Sequence, residues 1–247
     1  MTWQILEGVN KINKANFEKE PGFPGDYRMD SISKRYYLEF ASAFVRGSIP
    51  ETVGYDDISV FRKGTETGLR LHRFKRMPHL PRVRRIIGFL RQIAPANLLD
   101  IGSGRGVFLW PLLEEFPDLN VHCVDIRDDR VREIQAVANG GVSRLTASVG
   151  DVAVKLPFAE SSFDGVTMLE VLEHLARPDR AVAEALRVAR RFVAISVPSK
   201  PDTNPEHIHL FSERRLSDLF IQAGAPKISI EYVLNHMVAL CRFEKSP

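Results

Sequence analysis

The nine-residue string LLDIGSGRG at positions 98–106 constrains the fold of this chain more than any other feature. An apolar run ends in a glycine-rich turn, and the apolar residues from Val107 to Leu113 then follow a helical spacing. This pattern predicts a buried parallel strand, a tight turn and the N-terminus of a helix. Glycine lets the backbone adopt positive φ and approach a ligand closely, and a helix N-terminus offers free N–H groups. The string therefore predicts an α/β fold with a ligand site at this turn.

Two classes of ligand use such a turn, and a tight turn without any ligand is the structural alternative. Dinucleotide enzymes need glycines at the first, third and sixth places of G-x-G-x-x-G, but the sixth place here is Val107 and the last glycine is Gly106. Asp100 puts an anion two residues before the first glycine, which suits an ammonium group better than a pyrophosphate. The pattern resembles motif I of class I S-adenosylmethionine (SAM) dependent methyltransferases.

The resemblance implies a doubly wound α/β fold with a seven-stranded, mostly parallel, Rossmann-like sheet, and it implies SAM as cofactor with S-adenosylhomocysteine as product. We expect an N-terminal helical cap over residues 1–80 and a SAM-binding domain over residues 81–247. An acid that ends the second strand, some twenty residues past the glycines, is placed to accept hydrogen bonds from ribose. The expected cofactor-binding residues are Asp100, Gly102, Ser103, Gly104 and Gly106 for the methionine part, Asp125 for ribose, Ile126, Asp151 and Val152 for adenine, and Leu169 and Glu170 at the end of the fourth strand.

The stretch LPFAESSFDGVTMLEVLEHL at positions 156–175 resembles the small-molecule branch of these methyltransferases, which includes enzymes acting on quinone precursors. The [DN]-P-P-[FY] motif of enzymes that methylate adenine or glutamine amino groups is absent after the fourth strand. We therefore expect a small-molecule acceptor that is methylated on oxygen or nitrogen. His174 is the candidate general base because imidazole titrates near neutral pH, and a structural role at a helix start is its alternative.

A metal-assisted RNA 2′-O-methyltransferase is the first rival hypothesis. Glu170, Glu173 and His174, together with the distant His209, resemble the metal site of small-RNA 3′-terminal 2′-O-methyltransferases, and these ligand types suit Mg²⁺, Mn²⁺ or Zn²⁺. Residues 62–85 carry nine Lys or Arg and one acid, whereas the whole chain has a net charge of +3. This basic segment, Arg62 to Arg85, is suited to RNA phosphates, to the SAM carboxylate, to an anionic small substrate, or to a solvated helix face. A SAM-binding regulator without turnover is the second rival.

The remaining features concern the N-terminal part and the cellular compartment. From Asp30 the pattern predicts one helix that carries Tyr36, Phe40 and Phe44 on a single face, either as walls for a substrate or as packing on the main domain. Two cysteines exclude both a disulfide framework and a zinc cluster of Cys and His. The chain has neither a signal peptide pattern nor an apolar run of membrane-spanning length, so we expect a cytoplasmic protein.

Overall fold

The computed structural model describes residues 29–76 and 80–243. After residue 96 most strands are followed by a helix, as the hydrophobic pattern predicts, whereas the third strand is followed directly by the fourth and the sixth by the seventh. None of the helices within these residues is long and apolar enough to span a membrane. The helices are α1 (Met29–Arg35), α2 (Leu38–Ser48), α3 (Asp57–Glu66), α4 (Pro81–Ile93), α5 (Leu109–Glu115), α6 (Asp128–Asn139), α7 (Pro178–Val188) and α8 (Glu213–Gln222). The strands are β1 (Asn97–Ile101), β2 (Asn120–Asp125), β3 (Leu145–Val149), β4 (Phe163–Leu169), β5 (Ala189–Pro198), β6 (Ile228–Val233) and β7 (His236–Arg242).

The strands form one seven-stranded sheet in the order β3-β2-β1-β4-β5-β7-β6. The first five strands pair in parallel, and β7 pairs antiparallel with both β5 and β6. The predicted doubly wound, mostly parallel α/β sheet is therefore confirmed. Because the strand order reverses between β1 and β4, the carboxyl ends of these two strands border the crevice where open α/β sheets bind ligands.

Helices cover both faces of the sheet, and each face has its own hydrophobic core. One core combines buried residues of α2, α4, α5 and α6 with side chains of β1 and β2. The other core joins α7 and α8 to the opposite face of β1, β4, β5 and β7. Central strands that are buried on both sides read as continuous apolar runs, which is why their positions could be predicted. Cys123 and Cys241 are free and buried in these cores.

The N-terminal helix differs from the prediction, because a single helix through Phe44 is wrong. The last helical hydrogen bond of α1 joins the N–H of Tyr36 to the carbonyl oxygen of Ile32, and the backbone N–H of Tyr37 donates to the carbonyl oxygen of Phe74 instead. The guanidinium of Arg76 donates to the carbonyl oxygens of Ser33 and Tyr36 and so satisfies the end of α1. Tertiary contacts with residues 74–76 thus divide the predicted helix into two.

Helix α2 packs directly on α6, and its aromatic residues lie in the core. Phe40 stacks on Trp110, Phe44 contacts the ring of Phe74, and all four rings are buried. A Cβ at Gly140 would lie 1.7 Å from the carbonyl oxygen of Ala43, so the two helix backbones approach closely there. Phe40 and Phe44 therefore pack on the main domain rather than line a substrate site. The boundary at residue 80 stays a prediction.

Candidate active site

The glycine-rich turn between β1 and α5 has the backbone that its sequence predicts. Gly102, Gly104 and Gly106 adopt φ values of +71°, +54° and +82°, a region that side chains other than glycine rarely adopt. A Cβ at Gly106 would lie 2.2 Å from the indole ring of Trp110, whose Nε1–H donates to the carbonyl oxygen of Arg105. The turn is therefore held close against the first turn of α5.

Asp100 lies at the centre of the site with one unpaired oxygen. Its Oδ1 accepts a hydrogen bond of 2.7 Å from the hydroxyl of Thr167 on β4, whereas Oδ2 is buried and has no hydrogen-bond partner among the described residues. Burial raises the pKa of Asp100 to about 6, hydrogen bonds from Ser103 and Thr167 oppose this shift, and the nearby Asp125 adds to it. A buried carboxylate with a free lone pair is suited to a cationic ligand.

The other predicted cofactor-binding residues follow β2 and β3 at the same edge of the sheet. Asp125 accepts hydrogen bonds from the backbone N–H groups of Gly104 and Arg127, so it also fixes the turn. Ile126 is 64% exposed, an apolar surface at the place expected to flank adenine. Asp151 begins a turn in which it accepts from the N–H of Ala153, and Val152 is buried in the core.

A cavity of about 280 Å³ opens beside the turn and brings several predicted residues together. Arg82, in the first turn of α4, faces it and is mostly buried. Its Nε lies 3.5 Å from Oε1 of Glu170, and its terminal guanidinium nitrogens have no hydrogen-bond partner in the described part of the chain. An anion in this cavity would therefore find free N–H donors. The lining residues are Leu80, Arg82, Val83, Asp100, Gly102, Ser103, Gly104, Arg105, Val107, Phe108, Leu169 and Glu170.

Glu170, directly after β4, is held by three elements. It adopts φ +57°, and its carboxylate accepts hydrogen bonds from Ser196 at 2.8 Å and from Nε2 of His236 at 2.9 Å. Burial alone would raise the pKa of Glu170, but the hydrogen bonds from His236 and Ser196 and the charge of Arg82 lower it overall. Sequence reasoning missed His236, since a histidine at the start of an apolar strand carries no signal of this contact.

A second group of polar residues combines Glu173 and His174, from the short turn Leu172–His174 after β4, with His207 from the loop after β5. Ligating atoms of Glu173, His174 and His207 all lie within 4.8 Å of one another. Glu173 is fully buried and neither carboxylate oxygen has a hydrogen-bond partner among the described residues. Burial, followed by the charge of Glu170, raises the pKa of Glu173 to about 8. The site therefore contains a buried carboxyl group beside two imidazoles.

Two residues expected at a metal site lie outside this group. The carboxylate of Glu170 is bound to Ser196 and His236 as described above. Both ring nitrogens of His209 are also occupied, because Nε2–H donates to the carbonyl oxygen of Leu175 and Arg215 donates to Nδ1. His207, two residues earlier in the same loop, takes the place that the sequence pattern assigned to His209.

The basic segment offers less free charge than its composition predicts. Arg73 pairs with Glu133, Arg76 pairs with Glu114, and Arg85 pairs with Glu231 at 2.5 Å. These acids come from distant parts of the sequence, so part of the charge excess of residues 62–85 is neutralised in three dimensions. The expected nucleic-acid contact gains no support from this arrangement.

Comparisons with known proteins agree with this geometry. Residues 99–193 match a family model described as a methyltransferase domain. The chain is 34% identical over 100 residues to malonyl-[acyl-carrier protein] O-methyltransferase of Geobacter sulfurreducens. This aligned region covers 40% of this chain and 37% of that protein. It is 34% identical over 96 residues to ubiquinone/menaquinone biosynthesis C-methyltransferase of Paracoccus denitrificans, over 38% of each chain. The matched part thus spans little more than a third of these curated relatives.

A solved structure gives the same picture of the fold. The 1,6-didemethyltoxoflavin-N1-methyltransferase of Burkholderia thailandensis, solved with bound S-adenosylhomocysteine, superposes with a TM-score of 0.55. The alignment covers 75% of this chain and 84% of that protein at 20% sequence identity. At this identity the similarity concerns the fold alone, which is the Rossmann-like fold that the glycine-rich turn predicts.

Proposed function

We propose that this chain, which carries a class I SAM-dependent methyltransferase domain over residues 99–193, transfers a methyl group from SAM to a small molecule. The family resemblance predicted from the glycine-rich turn is confirmed by that match. The observation that carries the proposal is the cavity beside the turn, which Asp100, with its unpaired buried Oδ2, and Arg82 both line. An amino acid zwitterion has the matching pair of charges.

The residues around this cavity fit the cofactor in detail. The ammonium group would bind Asp100, and the turn from Gly102 to Gly106 lets the backbone approach the methionine part. Arg82 would hold the carboxylate through its free terminal N–H groups, which is one of the roles that the basic segment suggests. Asp125 would accept hydrogen bonds from ribose, Ile126 would cover adenine, and Asp151, Val152, Leu169 and Glu170 would complete the site, as the sequence predicts.

His174 is the residue that we assign to the acceptor. SAM supplies a methyl group that is already activated, so the protein has to align the acceptor and remove its proton. The imidazole is exposed, and its Nδ1–H donates to the carbonyl oxygen of Glu206 at 3.0 Å. This hydrogen bond leaves the lone pair on Nε2, which can accept a proton from an acceptor oxygen or nitrogen.

A small-molecule acceptor is favoured over RNA, since three arginines of the basic segment are paired with carboxylates from other parts of the chain. The relatives named above are an O-, a C- and an N-methyltransferase, so their names support the reaction class and leave the methylated atom open. We favour oxygen or nitrogen because His174 is available as a base. A chain that binds SAM without turnover would contradict the proposal.

The test is a transfer assay with labelled SAM and a cell extract that is separated into small-molecule, protein and RNA fractions. We expect label in the small molecules and equimolar S-adenosylhomocysteine. Label confined to RNA would overturn the assignment of the acceptor. SAM binding that never yields S-adenosylhomocysteine in any fraction would overturn the assignment as an enzyme.

A further inference from the structure

We propose that Glu173, His174 and His207 bind a divalent first-row transition-metal ion at the acceptor end of the site. Only the chemistry that we assign to the ion rests on the proposed function; the binding of the ion does not. Its structural basis is the group of three ligand types within 4.8 Å of one another. Two imidazoles and one carboxylate match the ligand preferences of Zn²⁺, Mn²⁺ and Fe²⁺ better than those of Mg²⁺, which prefers oxygen.

Glu173 provides the strongest reason to place a cation here. Its side chain is fully buried, and both carboxylate oxygens lack a hydrogen-bond partner among the residues that the structure describes. Leaving a buried carboxyl group unpaired costs folding free energy, so such a group calls for a ligand. A cation between Glu173 and the two imidazoles would satisfy it. The charge of Arg82 partly offsets the effect of burial on the pKa of Glu173, but the guanidinium of Arg82 pairs with Glu170 instead.

Each of the two histidines is oriented by a hydrogen bond at Nδ1. Nδ1–H of His174 donates to the carbonyl oxygen of Glu206, and Nδ1–H of His207 donates to the carboxylate of Asp202 at 2.8 Å. In each ring this contact fixes the tautomer and leaves Nε2 with its lone pair. Metal-binding histidines are commonly oriented in this way by a carbonyl or carboxylate group.

The backbone holds these residues together without any metal. The carbonyl oxygen of Glu173 accepts hydrogen bonds from the N–H groups of Ile208 at 2.9 Å and His209 at 3.2 Å. The loop that carries His207 is therefore attached to the turn that carries Glu173 and His174. Metal–ligand bonds of about 2.0–2.2 Å require these ligand atoms, which lie within 4.8 Å of one another, to move closer together when the ion binds.

An ion with three protein ligands keeps positions open for a substrate. We infer that these positions take a hydroxyl group of the acceptor, because a bound ion lowers the pKa of a coordinated O–H. The hydroxyl proton then passes to solvent, the oxygen lone pair forms the new O–CH₃ bond, and the electrons of the S–CH₃ bond remain on sulfur. With the ion bound, Nε2 of His174 is a ligand, so the ion takes over the activation of the acceptor that the proposed function assigns to His174 in the protein without metal.

The experiment measures metal binding directly, on the full chain after dialysis against a chelator. Co²⁺ is added as a spectroscopic probe, and Zn²⁺ competes with it. We expect one Co²⁺ per chain with visible d–d absorption. His207→Ala and Glu173→Gln should each lower the affinity for Co²⁺ by at least about tenfold, because loss of a residue that merely orients a metal ligand already costs about that much.

His209→Ala is the matched control, since it removes a histidine from the same loop whose ring nitrogens are both occupied. We expect this variant to bind Co²⁺ like the wild type. Absence of a stoichiometric Co²⁺ spectrum in the wild type, or an equal loss in His209→Ala and His207→Ala, would overturn the metal site. S-adenosylhomocysteine binding is measured on every variant, so that a failure of the proposed function is distinguished from a failure of the metal site and from misfolding.

Discussion

The ionisation of Asp100 leads to a prediction about the pH dependence of cofactor binding. Burial raises the pKa of Asp100 to about 6 in the protein without ligand. An ammonium group beside the carboxylate favours the charged form, so only the ionised protein binds the cofactor fully. As the pH falls through about 6, a growing fraction of Asp100 is protonated. The affinity for the cofactor is therefore highest at neutral pH and decreases toward acid pH.

The size of the effect follows from the ionised fraction. At pH 5 roughly one molecule in eleven has an ionised Asp100, and the apparent dissociation constant rises by the inverse of that fraction, about tenfold. This corresponds to about 1.4 kcal/mol. We expect S-adenosylhomocysteine, measured by isothermal titration calorimetry, to bind about tenfold more weakly at pH 5 than at pH 7.

Two controls separate Asp100 from a general acid effect. 5′-Methylthioadenosine lacks the amino acid part, so its affinity is expected to stay constant between pH 5 and pH 7. Asp100→Asn preserves the shape and the acceptor for Thr167 but removes the charge, and we expect it to bind S-adenosylhomocysteine at least about tenfold more weakly with a flat pH profile. A steep profile for 5′-methylthioadenosine, or a flat one for the wild type with S-adenosylhomocysteine, would refute this reasoning.

Three further substitutions test other parts of the site. Arg82→Gln should weaken S-adenosylhomocysteine binding by about tenfold or more in calorimetry and leave 5′-methylthioadenosine unchanged, whereas Arg84→Gln, an exposed residue of the same helix, should affect neither. Gly106→Ala should lower the denaturation midpoint, because the new Cβ would lie 2.2 Å from Trp110 at a positive φ; an unchanged midpoint would contradict the turn geometry. His174→Ala should lower turnover by about 10² or more with S-adenosylhomocysteine affinity unchanged, and near-wild-type turnover would reject its role.

Local pattern determines a large part of this protein. The positions of β1, β4 and β5 can be predicted from their apolar runs, because strands that are buried on both faces need apolar residues at consecutive positions. The glycine-rich turn is equally local, since positive φ at three nearby residues demands glycine there. The fold class and the place of the turn therefore follow from the sequence alone.

The partners of charged and aromatic side chains depend on tertiary structure. In the sequence Arg82 is one member of a basic segment, and only the packing of α4 on the sheet brings it to the same cavity as Asp100. The choice between His207 and His209 depends on which ring nitrogens the loop leaves free. Likewise, residues 74–76 end α1 at Arg35 through contacts that no local pattern records. Sequence thus determines elements through backbone geometry and periodicity, whereas the fold decides which distant charges meet, because those contacts join residues far apart in the chain.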